Sequence, residues 1–319
     1  MPKTKREGVG QMPGMAVGKK PKKSIKLFFM LVPCLLFVFI FSYLPLRGWI
    51  YAFTDYKAGL PWSKVNFVGL ENFTKMFANE ALRSKVGQVM INTVAMAGLN
   101  ILFSPLAAIF AIFLNEMRSR KYQRVVQSLT TLPHFISWVI MYSVAFFMLS
   151  NSGFVNTLLI KMGILETPIN FLATPNHVWI TMKGYDIWKG LGWSAIIYLA
   201  AIAGIDQEQY EAAMIDGASR MQKIWYITVP GLFSTYFVLL IMSIGNFLNT
   251  GMEQFYVFQN AMNKEHIEVL DLYVYNLGIG TSNNIPFATA VGIMKSGIAL
   301  LLFAFANFLS KKVRGTSVF

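Results

Sequence analysis

The sequence predicts an all-α, polytopic membrane protein with six transmembrane helices. Composition is the first observation: 55% of the 319 residues are hydrophobic and only 13% charged, about half the charge density of a soluble domain. The second is length. Six stretches are uniformly apolar over roughly the 20 residues that a helix needs to cross about 30 Å of hydrocarbon. The third is the placement of Lys and Arg, which alternates along the chain between rich and poor segments.

In order along the chain, residues 1–26 read as a disordered basic cytoplasmic tail, with Gly, Pro, Met and Lys in no periodic pattern. Within it, Lys19-Lys20-Pro21-Lys22-Lys23 reads as a juxtamembrane anchor to anionic lipid. The first helix is predicted over 27–46. It is about twice a signal peptide's apolar core and lacks a small-x-small cleavage site, so it is expected to stay uncleaved. Residues 47–89 form a loop too apolar for a free linker, expected to pack as short helices. The remaining spans are predicted over 90–114, 132–149, 187–205, 231–249 and 285–309. Runs such as Leu106-Ala107-Ala108-Ile109-Phe110 are apolar on every face, which excludes ordinary amphipathic soluble helices. The chain closes on a short cytoplasmic tail, 310–319.

The segments 1–26, 115–131, 206–230 and 310–319 hold 17 of the 28 Lys and Arg residues, and 47–89, 150–186 and 250–284 hold nine. This is the positive-inside pattern, with both termini cytoplasmic. It places the net charge of +13 at membrane faces and disfavours a nucleic-acid partner. One cysteine and three scattered histidines make neither a disulfide nor a close metal-binding pair. No GxxxxGK[ST] phosphate loop occurs, and no catalytic triad is apparent, so the chain is not expected to be an enzyme.

The segment 206–230 has internal logic. Asp206 is placed to cap a short helix with Gln209 in the capping-box position, and Ser219 to cap a second with Gln222. Gly217 is placed to end the first helix with positive φ, and Pro230 to open the next span. A helix–turn–helix elbow results. Its residues Glu211-Ala212-Ala213, Asp216-Gly217-Ala218 and Ile227-Thr228-Val229-Pro230 resemble the EAA loop of ATP-binding-cassette (ABC) importer permeases, with Val229 where the family has Leu. Asn66-Phe67-Val68-Gly69-Leu70-Glu71-Asn72-Phe73, Asn92-Thr93, the run Asn246 to Gln254 and the run Ala288 to Ser296 resemble maltose-permease-type carbohydrate permeases, in the branch handling oligosaccharides of polysaccharide breakdown.

The resemblance implies a type I ABC importer permease fold, with a permease core over 90–309 and Glu211, Ala212, Ala213, Asp216, Gly217, Ala218 and Pro230 in an ATPase-coupling loop. It also implies a bacterial cell-membrane location, a second homologous permease, two cytoplasmic ABC ATPase subunits that use ATP and Mg, a solute-binding lipoprotein outside, and an oligosaccharide cargo. This chain would itself bind no cofactor.

Candidate substrate-pathway residues are Asn246 and Asn249, one turn apart on the fifth helix and so on one face, and more weakly Trp193 and Tyr198. The amides serve equally well as helix-packing groups. Lys295 falls near the middle of the last span, where a polar partner or wet cavity is required. Glu253 would serve only if its segment folds back, and a packing or electrostatic role fits Lys295 better than a sugar ligand. The competing classes are an ion-coupled secondary transporter, which often carries intramembrane acids, and a structural membrane subunit. None of the six predicted spans contains Asp or Glu.

Overall fold

The structure is a computed structural model that describes residues 22–173, 175–280 and 282–314. The first part of the predicted basic tail, through residue 21, and residues 315–319 lie outside the described residues. The chain separates into two compact units, 1–49 and 50–319.

In the first unit α1 (Lys22–Val38) carries Pro33 and passes into a π turn over Phe39–Tyr43, followed by a 3₁₀ stretch, Leu44–Phe53. The Leu44 N–H bonds back to the Phe39 carbonyl. That wide turn comes just before Pro45, whose ring blocks an ordinary α-turn.

The second unit continues with α2 (Glu71–Ala78), α3 (Glu80–Phe103), α4 (Pro105–Asn115), α5 (Arg120–Thr131), α6 (Trp138–Leu149), α7 (Phe154–Lys161) and α8 (Val178–Ala203). After these come α9 (Gln207–Ile215), α10 (Arg220–Lys223), α11 (Val229–Gly245), α12 (Glu253–Phe258), α13 (Lys264–Ile267), α14 (Leu270–Gly278) and α15 (Ile285–Arg314). Among the described residues there is no β-strand, only an isolated bridge between Thr54 and Phe67.

Five helical runs are long and apolar enough to cross a membrane: 28–53, 80–115, 138–161, 220–245 and 285–308. A sixth, 175–203, qualifies together with α9, bent by 69° from it. In the four such runs of the second unit after residue 53, only 17–22% of the apolar window is buried by the chain itself. Such faces need lipid or another subunit against them.

Among the boundaries that differ from those predicted, three bear on the site. The second span starts at Glu80 rather than 90, because Asn79 caps it by accepting from the Leu82 N–H at 3.1 Å. The fourth starts at Val178 rather than 187, so it contains Lys183 and Asp186, and the expectation of acid-free spans fails. Their i, i+3 spacing lets them pair on one face, which charge-based span limits ignore. The fifth is continuous with α10 as one run, Arg220–Gly245, although Pro230 still lies in the first turn of α11. A second π turn, Ile224–Thr228, joins α10 to α11, with the Val229 N–H reaching back to the Ile224 carbonyl.

Glycine permits one tight crossing. A Cβ on Gly192 would fall 2.3 Å from the Thr130 carbonyl oxygen, so α5 and α8 touch backbone to backbone there. Nearby on α8, Lys189 donates to the carbonyls of His134 at 2.7 Å and Ile136 at 2.5 Å. It thereby satisfies carbonyls left free where the helix gives way to the 135–138 turn.

The elements flanking the spans are pinned by side-chain amides. Asn66 is bonded to Asp55 through both backbone and side chain, which holds the Asp55 carboxyl below its ordinary pKa. Asn72 donates to the carbonyls of Ala52 and Thr54. Asn92, fully buried, donates to the Glu265 and Glu268 carbonyls at 2.7 and 3.0 Å, and Thr93 accepts from the Leu270 N–H at 2.8 Å. Glu268 pairs with Lys85 at 2.7 Å. The Asn66–Phe73 and Asn92-Thr93 motifs therefore act as fasteners for the 50–73 and 264–270 segments.

Candidate functional site

Two regions are built for work. The first is the elbow, α9 to α10. Asp206 accepts from the Glu208 N–H at 3.0 Å; among the described residues the reciprocal Gln209 bond of a capping box is not formed. Gly217 has φ +73°. The Ala218 N–H bonds to the Ala213 carbonyl at 2.9 Å and the Gly217 N–H to that of Met214 at 3.1 Å, a Schellman closure. Ser219 and Gln222 complete the reciprocal capping box. Tyr210 and Thr228 share a hydroxyl contact at 2.9 Å, and Arg220 pairs with Glu116 at 2.6 Å. The elbow is thus tied to both α4 and the base of the fifth span.

Its outer surface carries several exposed apolar side chains among charged ones. Ile215 is 88% exposed, and Met214, Met221, Trp225 and Tyr226 are also exposed. Glu211 and Ala212 lie exposed on α9 with Ala213 half-buried beside them, and Asp216 and Ala218 flank Gly217. These apolar side chains stand together on a support whose closure and caps hold it in one shape.

The second region is a cleft of ≈ 490 Å³ between α3, α4, α8 and α11, adjoined by a smaller one of ≈ 240 Å³. Both share Asn100, Lys183, Asp186, Ser243 and Asn246. Lys183 Nζ donates to Asn100 Oδ1 at 2.8 Å and to Asp186 Oδ2 at 2.6 Å. The lysine side chain is only 9% exposed, whereas that of Asp186 is 45% exposed. The cation is consumed internally, and an oriented carboxylate faces the cleft.

The predicted pathway residues divide. Asn246 and Asn249 line the clefts, but not as one helical face. The fifth helix ends at Gly245, Asn246 is its cap, and a turn closed by the Asn249 N–H on the Asn246 carbonyl at 2.8 Å brings the two amides together. Their side chains are 3.3 Å apart. Trp193 borders the large cleft with one face stacked on His134, centroids 4.4 Å apart and planes within 1°. Tyr198 is buried in the α4–α8–α11 core beside Ala111, Ile202 and Leu232 and meets the cleft only at its edge.

Lys295 lines none of these clefts. It pairs with Asp271 of α14, not with Glu253, because α14 packs back against the last span. Asn100, Lys183, Asp186 and Ser243 escaped sequence reading. The missed signal is the Lys–x–x–Asp spacing beside an otherwise apolar helix. Among the described residues, no three His, Cys, Asp or Glu side chains gather as a metal site requires. The cleft offers amides, a hydroxyl, a carboxylate and aromatic edges, a set suited to a hydroxyl-rich solute.

Comparison with known proteins follows the same lines. Residues 103–315 match the family described as "Binding-protein-dependent transport system inner membrane component". Protein LplB of Bacillus subtilis (strain 168) is 40% identical over 91% of this chain and 90% of its own length. The polygalacturonan/rhamnogalacturonan transport system permease protein YteP of the same organism is 38% identical over 90% of this chain and 88% of its own. A chain in the crystal structure of a bacterial ABC transporter importing the acidic polysaccharide alginate superposes with TM-score 0.81 at 34% identity, over 92% of this chain and 97% of that one. The same holds for an alginate transporter chain solved with an alginate pentasaccharide-bound periplasmic protein, at TM-score 0.82 and 33% identity, over 93% and 98%.

Proposed function

The chain belongs to the family of binding-protein-dependent transport system inner membrane components, and from that membership we propose the work of its two sites. It is a permease subunit of the sugar-importing ABC class, with a type I importer fold. We assign its cargo as oligosaccharides of polysaccharide breakdown, and its partners as a second similar permease, two ABC ATPase subunits and an extracytoplasmic binding lipoprotein. Both termini are assigned to the cytoplasm of a bacterial cell.

The observation that carries the cargo assignment is the polar edge of the cleft. Asp186, Asn100, Asn246 and Asn249 offer hydrogen-bond partners over an apolar wall that includes Trp193, and sugars present hydroxyls and C–H faces in that combination. The mechanism is a population shift. ATP binding closes the ATPase dimer, the elbow docked on it through Met214, Ile215, Met221 and Trp225 moves as a rigid lever, and the spans pass from inward- to outward-open. A ligand drives this only through different affinities for the two conformers.

Asp186 removes one argument against an ion-coupled transporter, since a spanning helix does hold an acid. Its pairing with Lys183 and the family membership favour the ATP-driven reading. The test is uptake of labelled oligogalacturonides, alginate oligosaccharides and arabino-oligosaccharides by cells with and without this chain. Chain-dependent uptake that stops on ATP depletion and survives a proton ionophore is expected. Uptake that persists without ATP and collapses with the ionophore overturns the proposal, as does uptake that does not depend on the chain.

A further inference from the structure

The charge buried in the last span has a geometric consequence for the cleft. Lys295 of α15 pairs with Asp271 Oδ1 of α14. The other oxygen of the same carboxylate, Oδ2, accepts the Gly251 N–H at 3.0 Å. Gly251 lies two residues beyond Asn249. Both charged side chains are largely withdrawn from solvent, 13% exposed for Lys295 and 20% for Asp271. One carboxylate therefore bridges the last span to the turn that ends the fifth span. That turn is Asn246 to Gly251, and its amides Asn246 and Asn249 line the adjoining cleft of ≈ 420 Å³ together with Ser296, the neighbour of Lys295.

We infer that Lys295 and Asp271 form a clasp that positions the Asn246–Gly251 turn, and with it the amide edge of the cleft. Lys295 is a positioning residue and touches no cargo. The chemistry fits this role. Within a span a lone lysine is expensive, so Asp271 holds Lys295 in place, and the carboxylate keeps a lone pair for the backbone N–H. A neutral acceptor would let the Gly251 N–H exchange its partner for water. With Leu248 buried and Asn249 folded back on Asn246, the Gly251 tether closes the turn at its far end. The inference deepens the cleft reading above and rests on it for its functional meaning, though the tether itself can be tested without any sugar.

The experiment is hydrogen exchange by mass spectrometry on the full-length chain in lipid nanodiscs, reading the 246–252 segment. Lys295→Met and Asp271→Ala are each expected to speed exchange there by about tenfold or more, the range that separates a closed local structure from a frayed one. The double variant should be no faster than Asp271→Ala alone, since the two residues act as one unit, and Lys295→Arg should stay near wild type. Segment 264–268, held by Asn92, reports the intact fold and should not change. Unchanged exchange in Lys295→Met, or additive effects in the double variant, overturns the clasp.

If a single variant fails to accumulate, Asp271→Asn decides the matter, since it keeps an oxygen that can accept the Gly251 N–H but removes the charge that holds Lys295. Faster exchange over 246–252 supports the clasp, and wild-type protection overturns it. Loss of protection with unchanged oligosaccharide uptake would leave the clasp standing and remove the cleft reading; protected exchange with impaired uptake would do the reverse.

Discussion

Gly217 allows the elbow to be tested by conformation alone. Its φ is +73°, and a Cβ added there would meet nothing within 4 Å. Any penalty on substitution is therefore backbone strain and not a clash. For alanine the left-handed region costs about 1–2 kcal/mol. Asparagine visits that region more readily and should cost less, whereas valine, branched at Cβ, should cost more. A loss of 1–2 kcal/mol changes a two-state ratio by about 5- to 30-fold. The Schellman bonds at Ala213 and Met214 would open in that proportion, and the Met214–Ile215 surface would lose its fixed orientation. The assay is the ratio of substrate-stimulated to basal ATP hydrolysis in the reconstituted complex, at equal membrane insertion. The ratio should fall in the order Gly217→Asn, Gly217→Ala, Gly217→Val. Valine at wild-type coupling, or asparagine as damaging as valine, would refute the reasoning.

Gly192→Ala should lower thermal stability by about 1–3 kcal/mol, as overpacking does, because the new methyl must retreat from 2.3 Å to ordinary contact with the Thr130 carbonyl; an unchanged melting temperature would contradict the backbone contact of α5 and α8. Asn92→Ala leaves one buried and one part-buried carbonyl without their donor and should cost about 1–3 kcal/mol, seen as faster hydrogen exchange over 264–270 with the elbow unaffected. Asp186→Asn removes the partner of a nearly buried lysine, so both folding yield and uptake should fall, and Lys183→Met combined with Asp186→Asn should recover yield more than uptake. For topology, in a Cys34→Ser background an impermeant thiol reagent added from outside should label Asn176→Cys and miss Gln222→Cys; the opposite pattern would reverse the assigned orientation.

The fold class was legible because lipid imposes a coarse requirement, about twenty apolar residues, that a one-dimensional reading detects. The elbow was legible for a related reason. Its caps are local, so Ser219, Gln222 and Gly217 sit within a turn of the groups they satisfy. What escaped depends on three-dimensional pairing. Charge counting cut the fourth span short at residue 187, because Lys183 and Asp186 look prohibitive one at a time and are acceptable as a pair. Asp271 was invisible as the partner of Lys295 because the two lie 24 residues apart and meet only when α14 folds back. Asn246 and Asn249 were placed near each other for a reason the structure replaces, a capped turn in place of a continuing helix. Pro230 reads as a start signal by rule and does open α11, while the widened turn that joins it to the elbow leaves no local mark in the sequence.

That widened turn sets an angle. Each residue of an α-helix advances the chain by about 100° around its axis, so a turn holding one residue more than its neighbours shifts the phase of everything beyond it. Residues 224–228 form such a turn between the elbow and the fifth span. The azimuth at which Met221 and Trp225 leave the helix, relative to Ser243 and the cleft, is thereby fixed by a single residue of register. Wound as ordinary α-helix, the same five residues would swing the elbow through roughly a quarter turn, whereas removing one of them would restore an α-helix of nearly the same length and phase. The two working regions of the chain are locked in rotation as well as in distance, and the stretch that does it sits directly before Pro230.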